Sequence, residues 1–353
     1  MHNPASVTGA ALVPVPVPGR RPRALLAMHT ELAPKLIDAP TMRRLTELCD
    51  LDPALVADDF GAPAVSAALS EAEVLISCWG CPPLTEEVLA RAPRLRVVIH
   101  AAGSVKHHIT DACWRRGIAV TSAASANAVP VAEYTVAFVL LAGKDLLRMR
   151  DDYRRRRADH DWQTAYEGAG NYRRTVGVVG ASRIGRRVLE LLRHHDLELL
   201  LHDPYLLPGE AERLGARAVG LDELCVRSDV VSVHAPELPA THHLMSRERL
   251  ASMRTGATLI NTSRGSLVDQ EALTEELVSG RLDAVLDVTV PEVLPPDSPL
   301  YDLPNVVLTP HVAGSLGTEL HRMAAAAADE LERYVNGRPF AHPVSAEEWE
   351  RSA

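Results

Sequence analysis

Aromatic residues are scarce in this chain: they make up 4% of it, and only three are Phe. A chain so poor in rings must fill its interior with aliphatic side chains, and a hydrophobic content of 46% supplies enough of them for full cores. Positive net charge is lacking too. The formal charge is −9 and the isoelectric point is near 5.9, which argues against nucleic acid or an anionic membrane as the main partner. Cysteine is sparse: five residues, an odd count scattered over 353 positions, suit reduced thiols in a cytoplasmic protein better than a disulfide framework. No long hydrophobic run stands out, since the apolar stretch Val131–Ala142 is too short to span a bilayer and carries Glu133. The start lacks a basic n-region, and Pro14, Pro16 and Pro18 interrupt its apolar residues, so residues 1–22 read as a mobile tail rather than a signal peptide.

What is present is a strand–turn–helix–strand unit. Thr175–Gly185 reads Thr-Val-Gly-Val-Val-Gly-Ala-Ser-Arg-Ile-Gly, a short apolar run of the kind buried on both faces, followed by glycine-punctuated residues and then a helical pattern from Arg183 to His194. A second apolar run, Leu197–Leu201, leads to Asp203, eighteen residues past Gly185. That order is the dinucleotide-binding βαβ unit. Gly180 supplies the turn, Gly185 lets the helix pack close to the strand, and the first amides of the helix face a pyrophosphate. Asp203 accepts hydrogen bonds from ribose hydroxyls and repels a 2′-phosphate, which favours NAD over NADP. The middle glycine of the usual pattern is Ser182, small enough to keep binding.

Around this unit, strands and helices alternate. Strands are expected at Arg23–Met28, Glu73–Ser77, Leu95–His100 and Ile118–Thr121, which form a small parallel domain, and at Val230–His234, Thr258–Asn261, Ala284–Val288 and Val306–Thr309, which complete a doubly wound sheet. Asn127 is expected to cap one long helix from Ala128 towards Arg157, with Pro130 in its first turn and a solvated Arg154–Arg157 end. The fold class is α/β: a Rossmann-type doubly wound parallel sheet (residues 127–317) inserted into a second, smaller flavodoxin-like α/β domain (residues 23–126 plus 318–353).

Ligands in such sheets sit at the carboxyl ends of strands. Three of these ends carry chemistry: Asn261-Thr262-Ser263-Arg264-Gly265, Asp287 with Glu292 five residues on, and Thr309-Pro310-His311. Reducing a 2-keto acid needs a guanidinium to clamp the carboxylate and polarise the ketone, and a proton donor for the developing alkoxide. A carboxylate beside a histidine orients it and favours its charged form.

Gly177–Gly185, Asp203, Val233-His234-Ala235-Pro236, Asn261–Gly265, Leu286-Asp287-Val288 with Glu292, and Leu308–Gly314 together resemble the D-isomer-specific 2-hydroxyacid dehydrogenase family, which includes phosphoglycerate, glycerate and phosphite dehydrogenases. The similarity runs from about Glu73 to Gly337. The resemblance implies that Arg264 binds the substrate, that His311 is the general acid/base, and that Glu292 is its partner. It implies that Asp287 holds the nicotinamide carboxamide. It also implies that NAD is lined by Gly180, Ser182, Arg183, Ile184, Gly185, Asp203, His234, Ala235, Pro236, Thr241, Thr262, Ser263, Arg264, His311 and Gly314. A homodimer built around the long helix, with a cleft that closes on substrate, belongs to the same implication.

Departures from the family pattern bear on substrate. Trp79 stands where phosphoglycerate dehydrogenases tend to carry an arginine for the phosphate, which points to a roomier or more apolar acid. Gly103, Ser104 and Val105 align with a loop whose amides take the substrate carboxylate, but His107-His108 replaces the usual Asp-Asn pair and Lys106 keeps an additional anion, such as a phosphonate, open. The stretch Thr289–Val293 lacks the usual aromatic and the usual proline around Glu292, so a different loop path is expected. Cys78 and Cys81 have redox spacing, but Pro82-Pro83 follows, and a loop is expected instead. The adjacent His pairs point their rings apart, so no metal site is expected. The alternative reading is an NAD(H)-sensing, non-catalytic partner protein like the corepressors that share this fold.

Overall fold

The computed structural model describes residues 20–351, so the stretch read as a mobile tail lies outside the described residues up to position 19. Two compact units divide the chain: one takes it up to Asn127 and resumes at Ser315, and the other runs Ala128–Gly314. Thirteen strands are found among the described residues, numbered here in chain order.

The first unit holds β1 (Arg23–Ala27), β2 (Asp50–Ala57), β3 (Val74–Ser77), β4 (Val97–His100), β5 (Ala119–Ser122) and β13 (Pro343–Val344), arranged β13-β5-β4-β3-β1-β2. Its five parallel strands follow the 2-1-3-4-5 order of flavodoxin-like sheets. Strands β3 and β4 are buried at every position, as a sheet covered on both faces requires. Alternation along β1 sends Leu26 to one core, with Ile76, Ile99, Met323 and Leu331, and Leu25 to the other, with Leu69, Leu75 and Val120. Phe60 and Tyr334 are the only Phe, Tyr or Trp residues in the described core, in keeping with an aliphatic interior.

The second unit holds β6 (Thr175–Val179), β7 (Glu198–His202), β8 (Arg217–Ala218), β9 (Val230–Val233), β10 (Thr258–Asn261), β11 (Asp283–Leu286) and β12 (Val306–Leu308). All are parallel, in the order β12-β11-β10-β9-β6-β7-β8, which is the Rossmann order with a seventh strand added.

Three features differ from expectation. The smaller sheet is not wholly parallel, because β13 pairs antiparallel with β5 (Pro343 with Thr121). Strand β2 escaped the sequence reading because it is an edge strand with half of its residues exposed and with Pro53, which an edge tolerates. In place of one helix from Ala128 to Arg157 there are two, Ala124–Gly143 and Leu146–Arg156. Asn127, expected as the cap, lies inside the first, where its own N–H donates to the Ala123 carbonyl at 3.0 Å. The break follows from Asn171, whose Nδ2 donates to the Leu140 carbonyl and whose Oδ1 fills the space that a Cβ at Gly143 would need, while Asp145 adopts a left-handed backbone. The first helix, at 20 residues, meets the length and composition of a membrane span where the shorter run did not, yet Val131, Ala132, Thr135 and Val139 on it are buried.

Gly185 is required by a backbone contact. A Cβ there would lie 2.0 Å from the Gly180 carbonyl oxygen, which belongs to the turn leaving β6. We expect Gly185→Ala to lower the unfolding midpoint by the equivalent of about 1–3 kcal/mol. Gly168→Ala, where a Cβ meets nothing within 4 Å, should leave the midpoint within about 0.5 kcal/mol of the parent in the same urea titration.

Candidate active site

The residues singled out in the second unit cluster at the carboxyl ends of its strands, in the loops that follow them or in the first turn of the next helix. After β6 the chain turns at Gly180, whose φ of +101° favours glycine, and a Cβ there would strike the Ala235 nitrogen at 2.7 Å. Ser182 takes φ −64° and ψ 176°, backbone that any residue adopts, and its hydroxyl caps the helix Arg183–Leu192 by accepting from the Gly185 N–H at 3.3 Å. The missing glycine is thus replaced by an N-cap. Asp203, one residue past β7, spans the turn: its carboxylate accepts from Ala181 N–H at 2.7 Å and from Tyr205 N–H at 2.8 Å. A carboxylate has lone pairs beyond these two bonds. The tight turn, the helix N-terminus with Arg183 and Ile184, and this oriented acid fit a dinucleotide's pyrophosphate and ribose.

His234, Ala235 and Pro236 leave β9. The His234 ring is buried and pairs with the Ser232 hydroxyl at 2.8 Å, and burial pushes its pKa down to about 3. Thr241 closes its own loop by donating to the Pro236 carbonyl at 2.7 Å. Thr262 and Ser263 follow β10 and are buried, with the Ser263 hydroxyl donating to the Val233 carbonyl at 2.8 Å. Asn261 shapes the next turn, its Nδ2 donating to the Arg264 carbonyl at 2.8 Å. The Arg264 guanidinium donates to the Ser263 carbonyl at 2.7 Å and has the Glu237 carboxylate 4.0 Å from Nε, leaving most of its N–H fork open.

Parallel register sets Asn261 beside Leu286 and Leu286 beside Leu308, so the loops of Arg264, Asp287 and His311 leave the same edge of the sheet from three adjacent strands. Gly265 lets the first two loops touch: a Cβ there would lie 2.4 Å from the Thr289 carbonyl carbon. The Asp287 carboxylate, buried, accepts from the Thr309 hydroxyl at 2.7 Å, Val312 N–H at 2.8 Å and Ala313 N–H at 2.9 Å. Its backbone carbonyl accepts from His311 N–H at 2.8 Å. His311 is thereby held at φ +56°, a left-handed backbone that costs a non-glycine residue about 1–2 kcal/mol. Its exposed ring meets the Glu292 carboxylate at 2.6 Å, Nδ1 to Oε1. The departures around Glu292 do not separate the pair. Gly314 ends the same loop and the unit.

In the first unit Trp79 follows β3 and is 41% exposed. The Gly103–Lys106 stretch follows β4, with Val105 buried and Lys106 N–H donating to the Ser104 hydroxyl at 3.4 Å. Cys78 is buried, donates to the Ala101 carbonyl at 3.3 Å and has its thiol pushed up to about 12 by burial; Cys81 is likewise buried and raised, so neither thiol is poised for redox chemistry. Next to these loops, Ser77 shares its hydroxyl between His100 Nδ1 at 3.0 Å and His108 Nε2 at 3.1 Å. Burial lowers both imidazoles, His108 to about 4. The sequence reading missed this cluster, and it missed Glu237 and Gln270, because each looks like an ordinary polar residue until the fold gives it a partner.

Residues 136–313 match the family described as D-isomer specific 2-hydroxyacid dehydrogenase, NAD binding domain. The D-3-phosphoglycerate dehydrogenase of Mycobacterium tuberculosis is 33% identical over 273 residues, 77% of this chain and 51% of that protein. The chain therefore spans about half the length of that curated relative. A glyoxylate reductase of Korarchaeum cryptofilum is 34% identical over 261 residues, 72% of this chain and 77% of the other. A solved phosphoglycerate oxidoreductase from Rhizobium etli shares the fold, with a TM-score of 0.79 and 23% identity over 93% of this chain and 99% of that one.

Three buried imidazoles, His100, His108 and His234, are held neutral in the fold. The unfolded chain takes up their protons near pH 6.5, so it binds more protons than the native state below that pH, and stability falls as pH falls. At pH 5 the loss is about 2 kcal/mol for each imidazole relative to pH 8. Thermal unfolding followed from pH 8 to pH 5 should show a declining midpoint, with a shallower decline in His234→Gln; a flat profile would contradict the assignment.

Proposed function

The chain belongs to the D-isomer-specific 2-hydroxyacid dehydrogenase family, and we propose that it is an NAD-dependent oxidoreductase that interconverts a 2-keto acid and its D-2-hydroxy acid. The contact between His311 Nδ1 and Glu292 Oε1 carries this reading. A carboxylate accepting from Nδ1–H leaves Nε2 as the nitrogen that exchanges a proton with the substrate oxygen. The fork of Arg264 would bind the substrate carboxylate and polarise the adjacent ketone, work that needs a planar, permanently charged group. Gly180, Ser182, Arg183, Ile184, Gly185 and Asp203 would hold the dinucleotide, with Ala235, Pro236, Thr241, Thr262, Asp287 and Gly314 lining it further along. When bound, the nicotinamide supplies or accepts the hydride.

Trp79, Gly103, Ser104, Val105 and Lys106 are the proposed substrate residues of the first unit. With Trp79 in place of a cation, a 2-keto acid with an apolar group or a phosphonate suits them better than 3-phosphoglycerate. A cytoplasmic homodimer through the helix Ala124–Gly143 belongs to the same proposal. The sensing alternative drew on the altered Glu292 loop and on the Pro14-Val15-Pro16-Val17-Pro18 tail, which lies outside the described residues; with Glu292 in contact with His311, the loop supports catalysis instead.

NADH oxidation with glyoxylate, hydroxypyruvate, phenylpyruvate and phosphonopyruvate tests the activity, and we expect turnover of at least one. With that acid, His311→Ala should lower mainly kcat, by about 100-fold or more, and Arg264→Ala should raise KM and lower kcat together. Wild-type rates in both variants would remove the assignment.

Cofactor choice has its own test. In fluorescence titrations NADH should bind more tightly than NADPH, and Asp203→Ala should weaken NADH while narrowing the NADPH-to-NADH ratio of dissociation constants by about tenfold. An unaltered ratio would take the choice away from Asp203.

A further inference from the structure

We propose that Gln270 is a positioning residue for this reaction: its side-chain amide brackets the backbone of Val290 and so sets where the Glu292 carboxylate meets His311. The proposal rests on the reading of Glu292 and His311 as the working pair. Gln270 Nε2 donates to the Val290 carbonyl at 2.7 Å, and Val290 N–H donates to Gln270 Oε1 at 2.9 Å. An amide that meets a backbone amide with both its donor and its acceptor can do so in only one orientation.

Gln270 is itself fixed. It is the first residue of the helix Gln270–Val278, and the preceding Asp269 caps that helix by accepting from Ala272 N–H at 3.0 Å. The segment it grips has little else to hold it. Val290 is 52% exposed and Val293 80%, so burial does not fix the path of the chain between them. The polar contacts on this segment are the Gln270 bracket, the Thr289 hydroxyl beside the Pro291 carbonyl at 2.8 Å and the Glu292 carbonyl at 3.1 Å, and the Glu292–His311 contact.

That last contact does not account for its own geometry. Both side chains are about half exposed, at 55% for Glu292 and 45% for His311, and a pair so open to water gains little from its charges. The carboxylate has to be presented by its backbone, and the nearest clamp on that backbone with a side chain from another element is the one at Val290, two residues away.

The test compares Gln270→Met, which keeps the length but loses donor and acceptor, with Gln270→Glu, which keeps the acceptor for Val290 N–H and loses the donor. With a 2-oxo acid that the parent turns over, Gln270→Met should lower kcat about tenfold while KM and the NADH dissociation constant stay within twofold, and Gln270→Glu should fall between. The His311 Nδ1–H proton resonance should weaken in Gln270→Met. In a Glu292→Gln background the same substitution should cost less than about twofold, because its effect runs through Glu292. An equal loss in both backgrounds, or an unchanged kcat together with an unchanged Nδ1–H resonance, overturns the proposal. If the parent reduces no 2-oxo acid, the resonance alone decides: its persistence in Gln270→Met removes the positioning role, and its loss supports the role even though the reading of the reaction has failed.

Discussion

The buried carboxylate of Asp287 is the constraint on which the rest of the candidate site depends. Three donors converge on it from Thr309, Val312 and Ala313, and its own backbone carbonyl takes the His311 N–H. A buried charge without a cation beside it survives only if hydrogen bonds replace the lost water, and here a single loop supplies all of them. The consequence is geometric. A loop whose amides must all face one carboxylate has little freedom, and His311 is carried into a left-handed backbone it would not adopt alone. The strain is local, and the bonds to Asp287 offset it.

Burial divides the histidines of the chain by role. His100, His108 and His234 are enclosed and tied to serine hydroxyls, so they remain neutral through the physiological range and act as hydrogen-bonding pieces of the interior. His311 is open to water and faces a carboxylate. The sequence singled out His311 through the motif that contains it, but gave no sign that His100, the last residue of β4, or His108 and His234 would be enclosed. What separates them is how much water each ring keeps and what lies across from it.

The fold was legible where one residue type has one physical use. Val and Leu runs buried on both faces gave the inner strands, and Gly180, Gly185 and Asp203 gave the cofactor turn because few other residues fit those positions. Legibility failed where the deciding partner is distant. The helix break near Gly143 depends on Asn171, and β13 becomes a strand only because β5 offers it an edge. At Glu292 the local pattern pointed to an altered path, yet the carboxylate still reaches His311, with Thr289 and the Gln270 amide at the start of the preceding helix bonded to the loop in place of the residues the family usually has there. Gln270 gave no signal at all, because the first turn of a helix is an ordinary place for a polar side chain.

The apolar helix Ala124–Gly143 has a larger part than its composition suggests. Two adjacent residues on it carry hydroxyls: Tyr134 bonds to Thr309 at 2.8 Å, and Thr135 bonds to Thr262 at 3.2 Å. Thr309 in turn donates to Asp287, and Thr262 lies two residues before Arg264. One helix therefore touches the loop that presents the imidazole and the loop that presents the guanidinium. Both bonds involve side chains that are wholly or partly buried, where a hydroxyl left unpaired costs about 1–3 kcal/mol. A shift of the helix along its axis could not preserve both partners, so its seating and the relative placement of the two loops are coupled.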